Sequence, residues 1–213
     1  MNYIFRVIFI LAALSICSNA YATSYFVKPS SQGGNDSNTG LSDAQAWATV
    51  TKVNGFTFAK GDDVYFKCGG TWSGKILLPK LSGSSTDRAI LGAYYGSGTI
   101  GVSGTKPIID GAPTGSGNSK FGTVPDYTDN TENYQGLIHF INRDYITVQD
   151  IQSQWSGGIG IKSVDGQYFT VKNCTVLSSY RNGISATNVN TALVGCVFEY
   201  NYTDDTSRQQ ILS

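Results

Sequence analysis

His139 is the chain's single histidine, and Lys162 follows it by 23 residues. An imidazole beside a lysine can divide the work of a proton transfer, one group taking the proton and the other meeting the negative charge that develops. A second group appears when the same 23-residue step is carried from Arg181-Asn182-Gly183, which projects onto Asp204-Asp205-Thr206. Arg181 offers a permanent cation, and Asp204 and Asp205 would place two hard carboxylates just before the next strand, suited to an acid pair or to Ca2+. The plainer alternatives are a solvated strand face for His139 and Lys162 and a solvated turn for the two aspartates.

These residues can act together only if the elements carrying them stack in register. Three segments between Gln135 and Asn201 superpose at a constant offset of 23 residues. Ile138, Ile161 and Ile184 share one column; Ile146, Phe169 and Ala192 another; Val148, Val171 and Val194 a third; Ile151, Cys174 and Val197 a fourth. Polar columns fall between, with Asn142, Asp165 and Asn188 at one offset and Asp150, Asn173 and Cys196 at another. Apolar and polar residues alternate within each segment, as in Ile146-Thr147-Val148, which is strand period. Such a unit cannot bury its apolar face alone, but coils stacked at about 4.8 Å give each strand a parallel partner and close a core. The expected fold is all-β: a right-handed parallel β-helix, a solenoid of about 23 residues per coil. Leucine-rich repeats of similar length need a denser Leu pattern than Leu137, Leu177 and Leu193 provide.

Upstream, Tyr25-Phe26-Val27 reads as extended, and a Gly/Asn/Asp/Ser loop follows. Within it Asn35, Asp36, Ser37 and Asn38 are oxygen-rich but lack EF-hand spacing, and a flexible loop is the preferred reading. Ser42-Asp43-Ala44-Gln45 is a capping-box pattern opening a short helix with Trp47 and Val50, expected to plug the first coil. Val64 with Phe66, Ile76-Leu77-Leu78, Ala89-Ile90-Leu91 and Ile108-Ile109 read as further strands, and residues 112–134 as a projecting loop. The expected organisation is a signal peptide over 1–22, an N-terminal strand and capping helix over 23–60, and β-helix coils over 61–213 that stop without a closing cap.

The leader reading rests on Arg6, an apolar run from Val7 to Ile16 too short to span a bilayer, and Ala20-Tyr21-Ala22 as an A-x-A cleavage site. It implies a secreted, extracellular or periplasmic protein with no membrane attachment after cleavage; Ile16 before Cys17 argues against a lipoprotein. Fifteen basic residues balance fifteen acidic ones, so nothing steers the chain toward nucleic acid. Cys68, Cys174 and Cys196 match no disulfide framework or metal pattern; core thiols are the preferred reading, and one disulfide with one free thiol the alternative that export permits.

Several segments together resemble pectate-lyase-like right-handed parallel β-helix proteins, including the chondroitinase-B-like and alginate-lyase-like polysaccharide lyases, over their N-terminal portion. They are Tyr25-Phe26-Val27, Asn35-Asp36-Ser37-Asn38-Thr39-Gly40, Trp47-Ala48-Thr49, Gly61-Asp62-Asp63-Val64-Tyr65-Phe66, Gly92-Ala93-Tyr94 with Gly96-Ser97-Gly98, and Lys106-Pro107-Ile108-Ile109-Asp110-Gly111. The resemblance implies a groove on the outer face of one sheet, beside the Ile138 column, where His139, Lys162 and Ser185 would point. It implies β-elimination: a base removes the proton next to a uronate carboxylate, and Lys, Arg or Ca2+ meets the charge. His139, Lys162 and Arg181 are the catalytic candidates, Asp204 and Asp205 the metal candidates, and Trp155, Tyr180 and Tyr202 the turn aromatics for sugar rings. The substrate expected is an acidic polysaccharide such as pectin, alginate or a glycosaminoglycan. Two alternatives stand beside it: a non-catalytic glycan-binding, scaffold or adhesin β-helix, and a polygalacturonase-like hydrolase using the aspartate pair. The bare last coil further suggests a fragment of a longer chain or self-association through that end. No G-x-S-x-G elbow, H-E-x-x-H helix or P-loop is present.

Overall fold

The computed structural model describes residues 22–111, 136–188, 192–204 and 211–212. Most of the expected leader, the segment 112–134 read as a projecting loop, and Asp205 lie outside the described residues. Strands are short because alternation lasts only a few residues before a Gly, Asn or Asp turns the chain. A seven-stranded sheet runs β1 (Ser24–Val27), β2 (Asp63–Lys67), β4 (Ala89–Tyr95), β8 (Ile146–Gln149), β11 (Thr170–Lys172) and β14 (Val197–Glu199), with β5 (Thr99–Ile100) antiparallel on β4. A five-stranded sheet runs β3 (Thr71–Ser73), β6 (Ile108–Asp110), β9 (Gln152–Gln154), β12 (Thr175–Leu177) and β15 (Tyr202–Asp204). A four-stranded sheet runs β7 (Gly136–Ile141), β10 (Ile159–Val164), β13 (Ile184–Thr187) and β16 (Ile211–Leu212). Apart from β4 with β5, the strand pairs among the described residues are parallel.

The three sheets share one core. Val64, Leu91, Val148 and Val171 form a buried row across the seven-stranded sheet, Ile138, Ile161 and Ile184 across the four-stranded sheet, and Trp72, Ile109 and Val176 stand in the five-stranded sheet's inner row. Each large apolar side chain so buried contributes about 1.5–3 kcal/mol relative to exposure, more than a three- or four-residue strand could gain alone. Ser153, also in that inner row, is satisfied by donating to the Gly160 carbonyl at 3.0 Å.

Single left-handed residues turn the chain from sheet to sheet, and they stack. Asn142 sits above Asp165, Tyr145 above Tyr168, Asp150 above Asn173, and Trp155 above Ser178, all with φ between 49° and 62°. That conformation is uncommon outside glycine and a real outlier for bulky side chains. Side-chain contacts between rungs compensate: the Tyr145 and Tyr168 rings stack at 4.3 Å, and the Asn173 amide donates to Asp150 Oδ1 at 2.6 Å.

The right-handed helix of uniform 23-residue coils with a capping helix, expected from the sequence, is overturned in both particulars. Val148 to Val171 is a 23-residue step, but Val171 pairs with Phe198 rather than Val194, and Thr175 with Tyr202, both steps of 27. Upstream the steps are longer and irregular, with Ile108 opposite Gln152 and Ala89 opposite Ile146. Ser42 does cap a turn, accepting from the Gln45 amide, but that turn is a three-residue 3-10 helix, Asp43–Gln45. Trp47 then bridges Val27 in extended backbone, and the α-helix among the described residues, α1 (Val50–Gly55), starts from a Thr49 cap and turns Val50 and Val53 into the core. The Asn35–Asn38 stretch is likewise fixed, since Asp36 accepts from the Ala48 and Thr49 amides and the Thr49 hydroxyl at 2.6–3.0 Å. Leu77 reaches Ile138 only as an isolated bridge, and Cys68, Cys174 and Cys196 are free thiols.

Asp43 ties this N-terminal segment to the seven-stranded sheet. Its carboxylate accepts from Lys67 at 2.5 Å, the Tyr94 hydroxyl at 3.0 Å and Lys28 at 3.3 Å. Burial alone would push the carboxyl up, but these hydrogen bonds and the Lys67 charge outweigh it and hold it below the ordinary range. A depressed carboxyl stabilises the fold above its unfolded pKa and loses that contribution as pH falls through the folded one. Thermal midpoints of Asp43→Asn and wild type are therefore expected to differ near neutrality and to converge in strong acid.

Candidate functional site

The four-stranded sheet pairs His139 with Lys162 and Lys162 with Ser185, so the three stand in one row on the face opposite Ile138, Ile161 and Ile184. Their neighbourhood is not a solvated strand face: His139 is 4% exposed, Lys162 2% and Ser185 1%. Among the described residues neither ring nitrogen of His139 meets a hydrogen-bond partner, and neither does the Ser185 hydroxyl. Burial, with the Lys162 charge beside it, pushes the imidazole down to about 3, so it is neutral across the physiological range. Burial also lowers the Lys162 ammonium, bringing its neutral form nearer to working pH.

An imidazole with two unpaired buried nitrogens is costly, about 1–3 kcal/mol for an unsatisfied group. His139→Leu is expected to raise the unfolding free energy by that order. Because the folded pKa is depressed, wild type loses stability as pH falls from the ordinary histidine value toward about 3. The leucine variant should lack that component, and urea midpoints measured against pH would check it.

A second cluster lies where the five-stranded sheet hands the chain to the four-stranded one. Trp155 donates its amide to the Leu177 carbonyl, Tyr180 to Ser156 and Arg181 to Gly158, so these three candidates occupy two stacked turns. Trp155, Tyr180 and Arg181 are half-buried. Close packing here depends on Gly160, where a Cβ would meet Val176 Cγ1 at 2.2 Å and the Gly183 carbonyl at 2.7 Å.

Asp204 is not where the 23-residue step put it. It ends β15 opposite Leu177, one rung beyond the Trp155 and Ser178 corner, rather than standing in register with Arg181 before the next strand. It is exposed, and its carboxylate accepts from the Tyr202 hydroxyl at 3.0 Å. Tyr202 is 57% exposed on the same strand. Among the described residues no three His, Cys, Asp or Glu side chains come together as metal ligands. Asp204 alone does not make a Ca2+ site.

The five-stranded sheet's outer face was missed as a surface by the sequence reading. Ser73, Asp110, Gln154, Leu177 and Asp204 form one outward row, and Thr71, Ile108, Gln152, Thr175 and Tyr202 the other. Gln152 donates to Gln154 at 2.7 Å and Gln154 to Asp110 at 3.1 Å, while Lys106 reaches the Asn173 carbonyl at 2.5 Å. At its first rung the face adjoins a cleft of about 360 Å³ bordered by Ser30, Thr51, Thr71, Ser73 and Lys75 over Trp72. Gln152-Ser153-Gln154, polar on both sides of a small residue, was the signal available.

No family model matches the chain, and no curated protein matches it. The solved structures of a GH136 lacto-N-biosidase from Eubacterium ramulus share its fold. The selenomethionine derivative superposes with a TM-score of 0.57 and the native protein with 0.53, each at 15% identity over 88% of this chain and 34% of that one. A rhamnogalacturonan lyase gives a TM-score of 0.48 at 14% identity, over 90% of this chain and 56% of that one. The chain thus spans about a third of the biosidase's length, and the likeness is one of fold.

Proposed function

We propose that this chain belongs to a secreted carbohydrate-active protein that cleaves an acidic polysaccharide by β-elimination. The observation carrying this reading is the His139 and Lys162 pair: adjacent rungs, one row, both buried, with an imidazole that meets no hydrogen-bond partner among the described residues. The fold is shared with a biosidase, a protein named for a glycan it acts on. Of the two groups Lys162 is the better base, because a proton acceptor works best with a pKa near working pH, and burial moves a lysine toward that range while it moves His139 away. Neutral Lys162 would take the proton next to the uronate carboxylate. His139 would offer a neutral hydrogen bond to the sugar, and Arg181 a permanent cation toward the carboxylate as charge builds.

Burial of the pair favours one competing reading, since among the described residues both side chains are covered and would have to be uncovered before a polymer reached them. In it the glycan lies instead on the outer face of the five-stranded sheet, against Tyr202, Gln152 and Asp110, and is held without being cut. The assay that separates them incubates the protein with pectin, alginate and glycosaminoglycans and follows unsaturated uronate by ultraviolet absorbance, with retention on the same immobilised glycans measured in parallel. Product supports the lyase; retention without product replaces it with the binding module. Repeating the assay with chelator and then added Ca2+ tests the calcium expectation, which chelator-insensitive turnover would remove.

A further inference from the structure

Asp62 is 2% exposed, and among the described residues its carboxylate meets backbone amides alone: Thr23 donates to Oδ1 at 2.9 Å and Ala59 to Oδ2 at 2.7 Å. Fully buried aspartates are nearly always paired with a cation. Here the ion pairs among the described residues all converge on Asp43 instead. The other ionisable groups facing Asp62 are Asp63, Tyr25 and, through Asp63, Asp87; like charge from Asp62 and Asp87 adds to burial in raising the Asp63 carboxyl. So among the described residues the buried Asp62 carboxyl lies beside further acids with no cation in ion-pair contact.

The nitrogen already in contact with Asp62 is that of Thr23, the residue immediately after Ala20-Tyr21-Ala22. Ala22 is exposed, whereas the Thr23 carbonyl is fixed by accepting from the Asp63 amide at 2.9 Å, so the β1–β2 ladder begins one residue past the cleavage site. We propose that leader removal turns this amide contact into an ion pair, the new α-ammonium of Thr23 becoming the counter-charge of Asp62. In the step, a leader peptidase adds water across the Ala22–Thr23 amide. Ala22 leaves as a carboxylate, and the Thr23 nitrogen takes up protons to become an ammonium. Export thereby locks β1 onto β2, and the uncleaved chain lacks that lock. The inference rests on the export reading of the leader and not on any catalytic role.

The test uses the full gene expressed with its own leader, purified after export, beside a version with one glycine inserted between Ala22 and Thr23, each with and without Asp62→Asn. N-terminal sequencing should find Thr23 first in the parent; another first residue would sink cleavage at this bond and with it the ion pair, and a chain retained uncleaved in the cell would sink the export reading as well. With Thr23 first, the parent should melt above the glycine-extended form. A raised α-amino pKa gives stability that is full below the unfolded value and is lost as pH rises through the folded one, so that gap should close in alkali. The gap should be absent in the D62N pair. Equal midpoints, or a gap that survives D62N, would overturn the ion pair while leaving export intact. Should D62N not fold, NMR titration of the parent decides: an α-amino group about one unit or more above its ordinary value supports the pair, and an ordinary value removes it.

Discussion

Trp47→Ala is expected to cost about 3–5 kcal/mol of unfolding free energy, the range for emptying a fully buried large aromatic site. The indole is 1% exposed and stands at the centre of a ring cluster, stacked on Tyr25 at 4.9 Å and tilted against Phe56 at 4.8 Å. Its N–H donates to the Asn38 carbonyl at 3.0 Å. Gly40, in left-handed backbone, lies against the ring so closely that a Cβ there would come within 2.6 Å of it, which leaves little freedom for the loop to collapse into a cavity. For a chain of this size the loss corresponds to a fall in thermal midpoint of roughly 6–20 °C. Leu41→Ala, at a half-exposed neighbouring position, should stay within about 0.5 kcal/mol. A Trp47→Ala midpoint indistinguishable from that control would mean that the N-terminal segment is not part of the cooperative core.

The same tryptophan shows where the sequence could be read and where it could not. Ser42-Asp43-Ala44-Gln45 does form its cap, but a cap licenses only one turn. Burying Trp47 against Val27 in extended backbone gains more than continuing a helix through it, so the helix starts three residues later at Val50. The 23-residue step held from Ile138 to Ile184 and from Val148 to Val171 because the same left-handed corners recur at Asn142 and Asp165 and at Asp150 and Asn173. It failed at the next coil between Thr187, still in register with Val164, and Val194, which accepts from the Tyr168 amide where Gln167 accepts from Tyr145 one coil earlier. Val194 stood in the expected apolar column and satisfied the pattern as well as Phe198 does. Only packing distinguishes them, since Val194 is exposed and Phe198 lies against the core.

The candidate site divides in the same way. That His139 and Lys162 are neighbours follows from sequence, because parallel pairing in register needs only the period. Their burial does not, because alternation assigns a side chain to a face without saying what that face meets. Asp204 was misplaced by the coil that broke the period, so it stands opposite Leu177 and not in register with Arg181, while Asp205 lies outside the described residues. The Asp62 carboxylate was visible as part of Gly61-Asp62-Asp63, but its contact with Thr23 spans 39 residues and has no local signature.

Lys162→Met should lower turnover of the acidic glycan by about 10²–10⁴-fold, the usual loss when a general base is removed. Methionine keeps the length and apolar stem of the side chain, so the row from His139 to Ser185 is left with nearly the same volume to pack against. The more discriminating change is Lys162→Arg. A guanidinium stays protonated at any working pH, so it preserves the positive charge and abolishes the base. If Lys162 takes the proton, the arginine variant should be as inactive as the methionine one. Wild-type kcat/KM should also rise with pH through an inflection below the ordinary lysine value, as burial requires, and whatever activity the variants retain should lack that inflection. If Lys162 only neutralises charge, arginine should restore much of the rate, and the base must then be sought elsewhere. A wild-type profile flat across that range would remove Lys162 from the proton-transfer step whatever the variants do.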